Sequence, residues 1–221
     1  LYWQLNDVWN GASWSTIEED GTWKAAHYAL KRLYTPSLIS YRFTNDRAEV
    51  WYQTHAPSYN VLNLECHLSD LDGNQKSFRN ISYKDSTNLP QILLSIPLDS
   101  LLQGCSINNV YWDLKVFSKD QVMAETVALF SEPSKMELKK PAPEFILKRE
   151  NNGRLIKLGI RSNTFAKGFE IDFNGVSGKY SDNFIDLLPG VWYWINFEPI
   201  DSKEINESDI KFNWRCFRFS N

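Results

Sequence analysis

The chain has 221 residues, room for one or two domains, and its 24 basic against 27 acidic side chains leave a formal net charge of −3. That balance excludes a basic field able to draw in nucleic acid or anionic lipid, and no apolar run reaches membrane-spanning length. Nine tryptophans suit a protein that handles sugars, and equally the packing of β-sheets.

Residues 2–5 read as a short apolar strand and residues 6–21 as a loop carrying Trp9 and Trp14. Thr22 can cap a helix. Trp23, Ala26, His27, Leu30 and Leu33 then recur at helical spacing and predict one buried face. Lys31 and Arg32 suit the last turn, and Pro36 stops the helix. From Ser37 the period becomes two. Strands are expected over residues 38–43, 47–55, 62–68, 76–83, 91–98, 110–117 and 122–130. In the third of these, Leu62, Leu64, Cys66 and Leu68 face one way and Asn63, Glu65 and His67 the other. Seven short strands with turns such as residues 70–74 suit an immunoglobulin-like sandwich.

Residues 133–143 hold three prolines and no periodicity, which marks a linker. A second strand series follows, over residues 145–149, 155–161, 168–173, 180–187, 191–197 and 210–217. Asn151-Asn152-Gly153 is a hairpin signal between the first two. In the last, Ile210, Phe212, Trp214 and Cys216 share a face. Cys66, Cys105 and Cys216 are far apart and show no ligand spacing with a histidine, so neither a disulfide nor a metal site is expected. His55 and His67 fall on polar strand faces. Asn80-Ile81-Ser82 and Asn206-Glu207-Ser208 match the glycosylation acceptor, a pattern that also arises by chance.

Two stretches carry a resemblance. Tyr2-Trp3-Gln4-Leu5-Asn6-Asp7, Trp9, Ser13-Trp14-Ser15, Trp23-Lys24-Ala25 and His27-Tyr28 are similar to the last strand–helix unit of the (β/α)8 barrel in β-mannosidases of glycoside hydrolase family 2. Asn10 stands where that pattern has proline. Far downstream, Tyr180-Ser181-Asp182-Asn183-Phe184 and Asp186-Leu187-Leu188-Pro189-Gly190 resemble a segment of the family's C-terminal immunoglobulin-like domain.

The resemblance implies a mainly β chain. Residues 1–36 would be the final strand, loop and helix of the catalytic barrel. Residues 37–131 would form one immunoglobulin-like antiparallel β-sandwich, 132–142 a linker and 143–221 a second sandwich. It implies the C-terminal accessory region of a retaining exo-β-mannosidase acting on terminal non-reducing β-D-mannose. Retaining glycosidases need two carboxyl groups about 5–5.5 Å apart, and in this family both are glutamates on earlier barrel strands. The chain would therefore carry no catalytic residue and be inactive alone. Trp3, Gln4 and Asp7 are the candidate substrate-binding residues, Trp3 by stacking on a mannose ring at the C-terminal end of a barrel strand. Asn6 and Asp7 have a second reading as braces of the loop. Glu18-Glu19-Asp20 reads as a solvated approach to a helix N-terminus. Asp182 and Asn183 read as turn formers whose side chains bind nearby backbone, and calcium binding by Asp182 and Asp186 is a weak alternative.

No cofactor and no metal is expected. The partners implied are β-mannoside oligosaccharides, with no nucleic acid and no membrane. The segment 1–20, if uncovered, would fold back on the first sandwich through the helix or self-associate with another copy. The residues at the start do not read as a signal peptide, and a periplasmic, secreted or lysosomal setting is favoured over the cytoplasm. Two alternatives stay open. One is an exo-β-glucosaminidase of the same family, against which Gln4, Asp7 and Lys24 speak. The other is a stand-alone carbohydrate-binding or adhesion module, with Trp51, Trp192 and Trp194 as a sugar platform.

Overall fold

A computed structural model describes residues 3–9, 11–55, 61–85, 87–151, 154–174, 176–199 and 211–221. The expectations for Tyr2, Asn10, Ile210, the turn residues Asn152 and Gly153, and the acceptor at Asn206 lie outside the described residues. The chain is mainly β and antiparallel throughout its named strands. It divides into two compact units, Tyr34–Leu138 and Leu1–Leu33 together with Lys139–Asn221.

The Tyr34–Leu138 unit is a sandwich of three strands on four. One sheet runs β1 (Ser37–Phe43), β2 (Arg47–Thr54) and β5 (Gln91–Pro97), with β2 central. The other runs β4 (Gln75–Lys84), β3 (Val61–Asp70), β6 (Val110–Ser118) and β7 (Gln121–Leu129). Period-two sequence makes the core directly. Val50, Tyr52, Leu62, Leu64, Cys66, Leu68, Trp112, Leu114 and Val116 come from alternate positions of β2, β3 and β6 and are fully enclosed. Burial pushes the Cys66 thiol up to about 12, so this cysteine acts as a small apolar side chain. A short helix, α2 (Leu98–Leu102), follows β5 and buries Leu101 and Leu102. Met136 and Pro141, within the prospective linker, are both buried. The Glu137 amide donates to the Asn108 carbonyl at 3.0 Å, which ties the start of that stretch to this unit.

The second unit holds a sandwich of two four-stranded sheets. The first is ordered β11 (Gly178–Tyr180), β13 (Trp192–Pro199), β9 (Leu155–Arg161), β8 (Glu144–Glu150). The second is ordered β12 (Ile185–Leu187), β10 (Ala166–Phe173), β14 (Phe212–Cys216), β15 (Phe219–Ser220). Its core is phenylalanine-rich, with Phe165, Phe169, Phe173 and Phe197 among its largest enclosed side chains. The single strand expected over 180–187 is two strands, β11 in one sheet and β12 in the other. Between them Phe184 has φ +53°, a left-handed conformation that breaks a ladder and lets the chain change sheets.

The N-terminal segment differs from the reading in three ways. No named strand lies among described residues 3–24. The Asp7 amide donates to the Ile17 carbonyl, and the Ile17 and Thr16 amides donate to Leu5, so the partners a barrel strand would find in neighbouring strands are supplied by its own loop. The helix α1 spans Ala25–Leu33 rather than starting at Thr22, because Thr22, Trp23 and Lys24 are engaged with residues 16–18. Its buried position is Tyr28, while Ala26 and Leu33 are exposed.

Candidate functional site

Asp7 is the centre of the N-terminal segment. Its side chain is buried, and every oxygen is committed. Oδ2 accepts from Lys24 Nζ at 2.8 Å, and Oδ1 accepts from the Ser13 hydroxyl. Lys24 also donates to Ser15 Oγ at 2.9 Å and stands 3.5 Å from Glu18. Lys24, then Ser13 and Ser15, hold the Asp7 carboxyl well below the usual carboxylate range, and Asp7 in turn raises the Lys24 ammonium. Ser15 Oγ continues the network to the Ile17 carbonyl at 3.0 Å. Thr16 Oγ1 donates to the Leu5 carbonyl at 3.1 Å and sits 3.0 Å from His27 Nδ1. The Trp23 ring meets His27 edge-on at 4.2 Å. The polar network thus closes the loop 7–24 into one folded knot.

Around that knot the indoles point outward. Trp3 is 76 % exposed, Trp9 73 % and Trp14 83 %, with Leu5 and Val8 beside them. Gln4 Nε2 donates to the Asn6 carbonyl at 3.1 Å, and Asn6 Nδ2 donates to the Asp7 carbonyl. Of the three sequence-derived site residues, Trp3 and Gln4 face solvent and Asp7 lies inside the knot. Glu18-Glu19-Asp20 is not an approach to a helix N-terminus. Residues 18–22 form a closed turn in which Glu18 N–H donates to Thr22 and Asp20 accepts from the Thr22 amide, and the first turn of α1 holds no acidic residue.

The other end of the segment is anchored on the C-terminal sandwich, where the sequence reading placed α1 on the first one. Arg32 reaches Asp182 and donates to the carbonyls of Asn183 at 3.1 Å and Phe184 at 3.3 Å. Lys31 Nζ donates to the Ser181 carbonyl, and the Tyr28 ring packs on Phe184 at 5.8 Å. Asn183 is itself buried. Its Oδ1 accepts from the Ile171 amide at 2.9 Å and its Nδ2 donates to the Ile171 carbonyl at 2.8 Å. A side-chain amide thereby stands in for a peptide of the adjoining strand. The two stretches that carry the resemblance meet here, Tyr28 of one against Phe184 of the other.

Reading Asp182 and Asn183 as local turn formers missed this long reach; the basic last turn of α1 was the available signal. The calcium alternative loses its ligands to cations. Asp182 is held by Arg32, and Asp186 accepts from Lys167 at 2.8 and 3.0 Å and from the Gly168 amide. Among the described residues no group of three or more His, Cys, Asp or Glu is placed to hold a metal. Trp51 lies on β2 with its indole N–H on Glu49, whereas Trp192 and Trp194 stack at 6.2 Å on β13 of the other unit.

Comparison with known proteins gives one direction. An Ig-fold domain family of mannosidases matches residues 138–213. Beta-mannosidase A of Aspergillus fumigatus is 38% identical over 68 residues, which are 29% of this chain and 7% of that protein. Beta-mannosidase of Mus musculus is 23% identical over 189 residues, 83% of this chain and 21% of that protein. The crystal structure of a β-D-mannosidase from Dictyoglomus thermophilum superposes with TM-score 0.80 at 18% identity, over 97% of this chain and 26% of that one. An exo-chitosanase of Amycolatopsis orientalis superposes with TM-score 0.63 at 13% identity, over 98% and 29%. The chain thus spans less than a third of the length of each of these proteins.

Proposed function

We propose, from the premise that this chain is homologous to β-mannosidases and has the fold of the C-terminal region of a family 2 β-mannosidase, that it is the accessory region of a retaining exo-β-mannosidase. The longer polypeptide would release terminal non-reducing β-D-mannose. The observation that carries this reading is the joining of the two resemblance motifs through Tyr28 on Phe184, which Arg32 on Asp182 reinforces, and which makes them parts of one device. In that device the C-terminal sandwich grips α1, and α1 with the Asp7 knot holds Trp3 at the rim where a sugar would stack.

Trp3 offers an exposed indole face for a mannose ring, and Gln4 a neighbouring amide. Asp7 acts through the loop, since its oxygens are already filled. The exposed group Leu5, Val8, Trp9 and Trp14 is the face that barrel elements of the longer polypeptide would cover. Curated relatives named β-mannosidase favour mannose over glucosamine as the sugar.

The test has two arms. The 221-residue chain alone should give no turnover of an aryl β-mannoside, and turnover lost on Glu18→Gln or Glu19→Gln would overturn the accessory reading. The longer polypeptide should hydrolyse the aryl β-mannoside with retention. Preference for an aryl β-glucosaminide would assign it to the exo-β-glucosaminidase reading instead. Within it, Trp3→Ala should lower kcat/KM roughly 5- to 150-fold, the range for loss of about 1–3 kcal/mol of stacking.

A further inference from the structure

The outer face of β8, β9 and β13 has an arrangement that the proposed activity does not use. Trp194, Gly159 and Ile146 lie in one cross-strand row. The indole of Trp194 lies flat on the sheet, because a Cβ at Gly159 would sit 2.9 Å from its ring carbons. Glycine is what allows this close approach. One face of the ring is therefore spent on the backbone, yet Trp194 remains 41 % exposed. Trp192 follows on the same face at 6.2 Å and 27° to it, so the two rings form a nearly continuous shelf.

The next row places Lys148 directly opposite Lys157. Like charges in that position repel. Their ammoniums stand 5.2 and 5.4 Å from the centre of the Trp194 ring, and neither has a carboxylate partner among the described residues. By contrast Arg161, above Trp192 at 4.9 Å, is paired with Glu144 at 2.6 Å. An aromatic shelf with two cations lying over its Trp194 ring, neither ion-paired with a carboxylate among the described residues, is complementary to a ring with an apolar face and an anionic substituent.

We propose that this shelf is a binding site for an acidic oligosaccharide. The two ammoniums move off the Trp194 ring to take the carboxylate of a pyranose that stacks there in their place, and the neighbouring residue extends toward Trp192, where Arg161 lies over the ring. The site is independent of the hydrolytic reading, since it needs neither a barrel nor catalysis.

The test is titration of the 221-residue chain with a mannuronate hexamer, read by tryptophan fluorescence and calorimetry, beside neutral mannohexaose and dextran sulfate. The mannuronate hexamer should bind at least tenfold more tightly than mannohexaose, with affinity falling as salt is raised. Trp194→Ala should abolish the fluorescence change and weaken binding at least tenfold. Lys148→Ala with Lys157→Ala should weaken the acidic sugar at least tenfold and leave the indoles in place, which near-ultraviolet circular dichroism checks. Absence of binding at millimolar hexamer would overturn the site. So would equal binding of mannohexaose, undiminished binding by folded Trp194→Ala, or dextran sulfate binding as tightly as the hexamer, which would reduce the patch to plain charge.

Discussion

Trp112 of one sandwich and Trp194 of the other are spent in opposite ways. In the Tyr34–Leu138 unit, Trp112 is 0 % exposed and fills the centre of the core, stacked at 6.2 Å from Phe130. In the other unit phenylalanines fill most of the core beside Trp214, which stacks on Phe169 at 5.3 Å, while Trp192 and Trp194 lie on the outside of a sheet. Both arrangements obey the same alternation along a strand. What differs is the register of the largest side chain, and with it whether an indole stabilises the unit or presents a surface.

The comparison is broken most severely at its buried end. Trp112→Ala should cost about 3–5 kcal/mol and lower the melting of the Tyr34–Leu138 unit, with calorimetry showing the other unit's transition in place. A loss below about 1 kcal/mol would mean that the core collapses around the gap. Asn183→Ala leaves the Ile171 amide and carbonyl without their side-chain partner, at about 1–3 kcal/mol. It should expose β10 and α1 to faster hydrogen exchange, and unchanged exchange at Ile171 would refute the clamp.

Acid provides a third, smaller break. Burial works against the charge of Asp70, but Lys76 at 2.8 Å and the side-chain and backbone N–H groups of Asn74 outweigh it and hold the carboxyl at about 2. A folded value below the ordinary 3.8 means stability that is fully present above about 3.8 and lost as pH falls through about 2. After discount for its partial exposure this is worth roughly 1–2 kcal/mol. Asp70→Asn should flatten the stability of its unit over that window, as followed by chemical denaturation at each pH. Asp7 in the other unit is depressed further still, so its knot should outlast the Asp70 turn on acidification. Carboxyl chemical shifts would show the order, and Asp7 titrating first would contradict it.

The smallest expected effect is at the exposed end. Trp194→Ala should cost about 0.2–1 kcal/mol, the scale of a cross-strand pair, against several for Trp112. Equal costs at the two positions would mean that the outer indole is a structural element.

Most strands were legible because alternation is local: Leu62, Leu64, Cys66 and Leu68 on β3 lie on the core side as their spacing requires. Residues 180–187 were not read as two strands, since a change of sheet at Phe184 depends on a backbone conformation and on a partner at Ile171, neither carried by periodicity. The helix start was misplaced because Thr22 has the chemistry of a cap but is engaged by Glu18. At the candidate site, Asp7 was identified but its saturation by Lys24, Ser13 and Ser15 was not, because those residues are brought together only by the fold of the loop. The grip of Arg32 on Asp182 had a signal at one end only, the basic last turn of α1, for 150 residues of separation leave nothing in the sequence that names its acceptor.

The Asn183 amide has a mechanical consequence. A pull on α1 passes through the Arg32 fork to residues 182–184, and from there through two opposed hydrogen bonds at Ile171 into the middle of β10. β10 is bonded on both sides, to β12 and to β14. Force entering there is shared among many bonds in shear rather than opened one at a time from an end. The helix is thus fastened to the stiffest part of its sandwich, as a bracket is fixed to a beam rather than to the cladding.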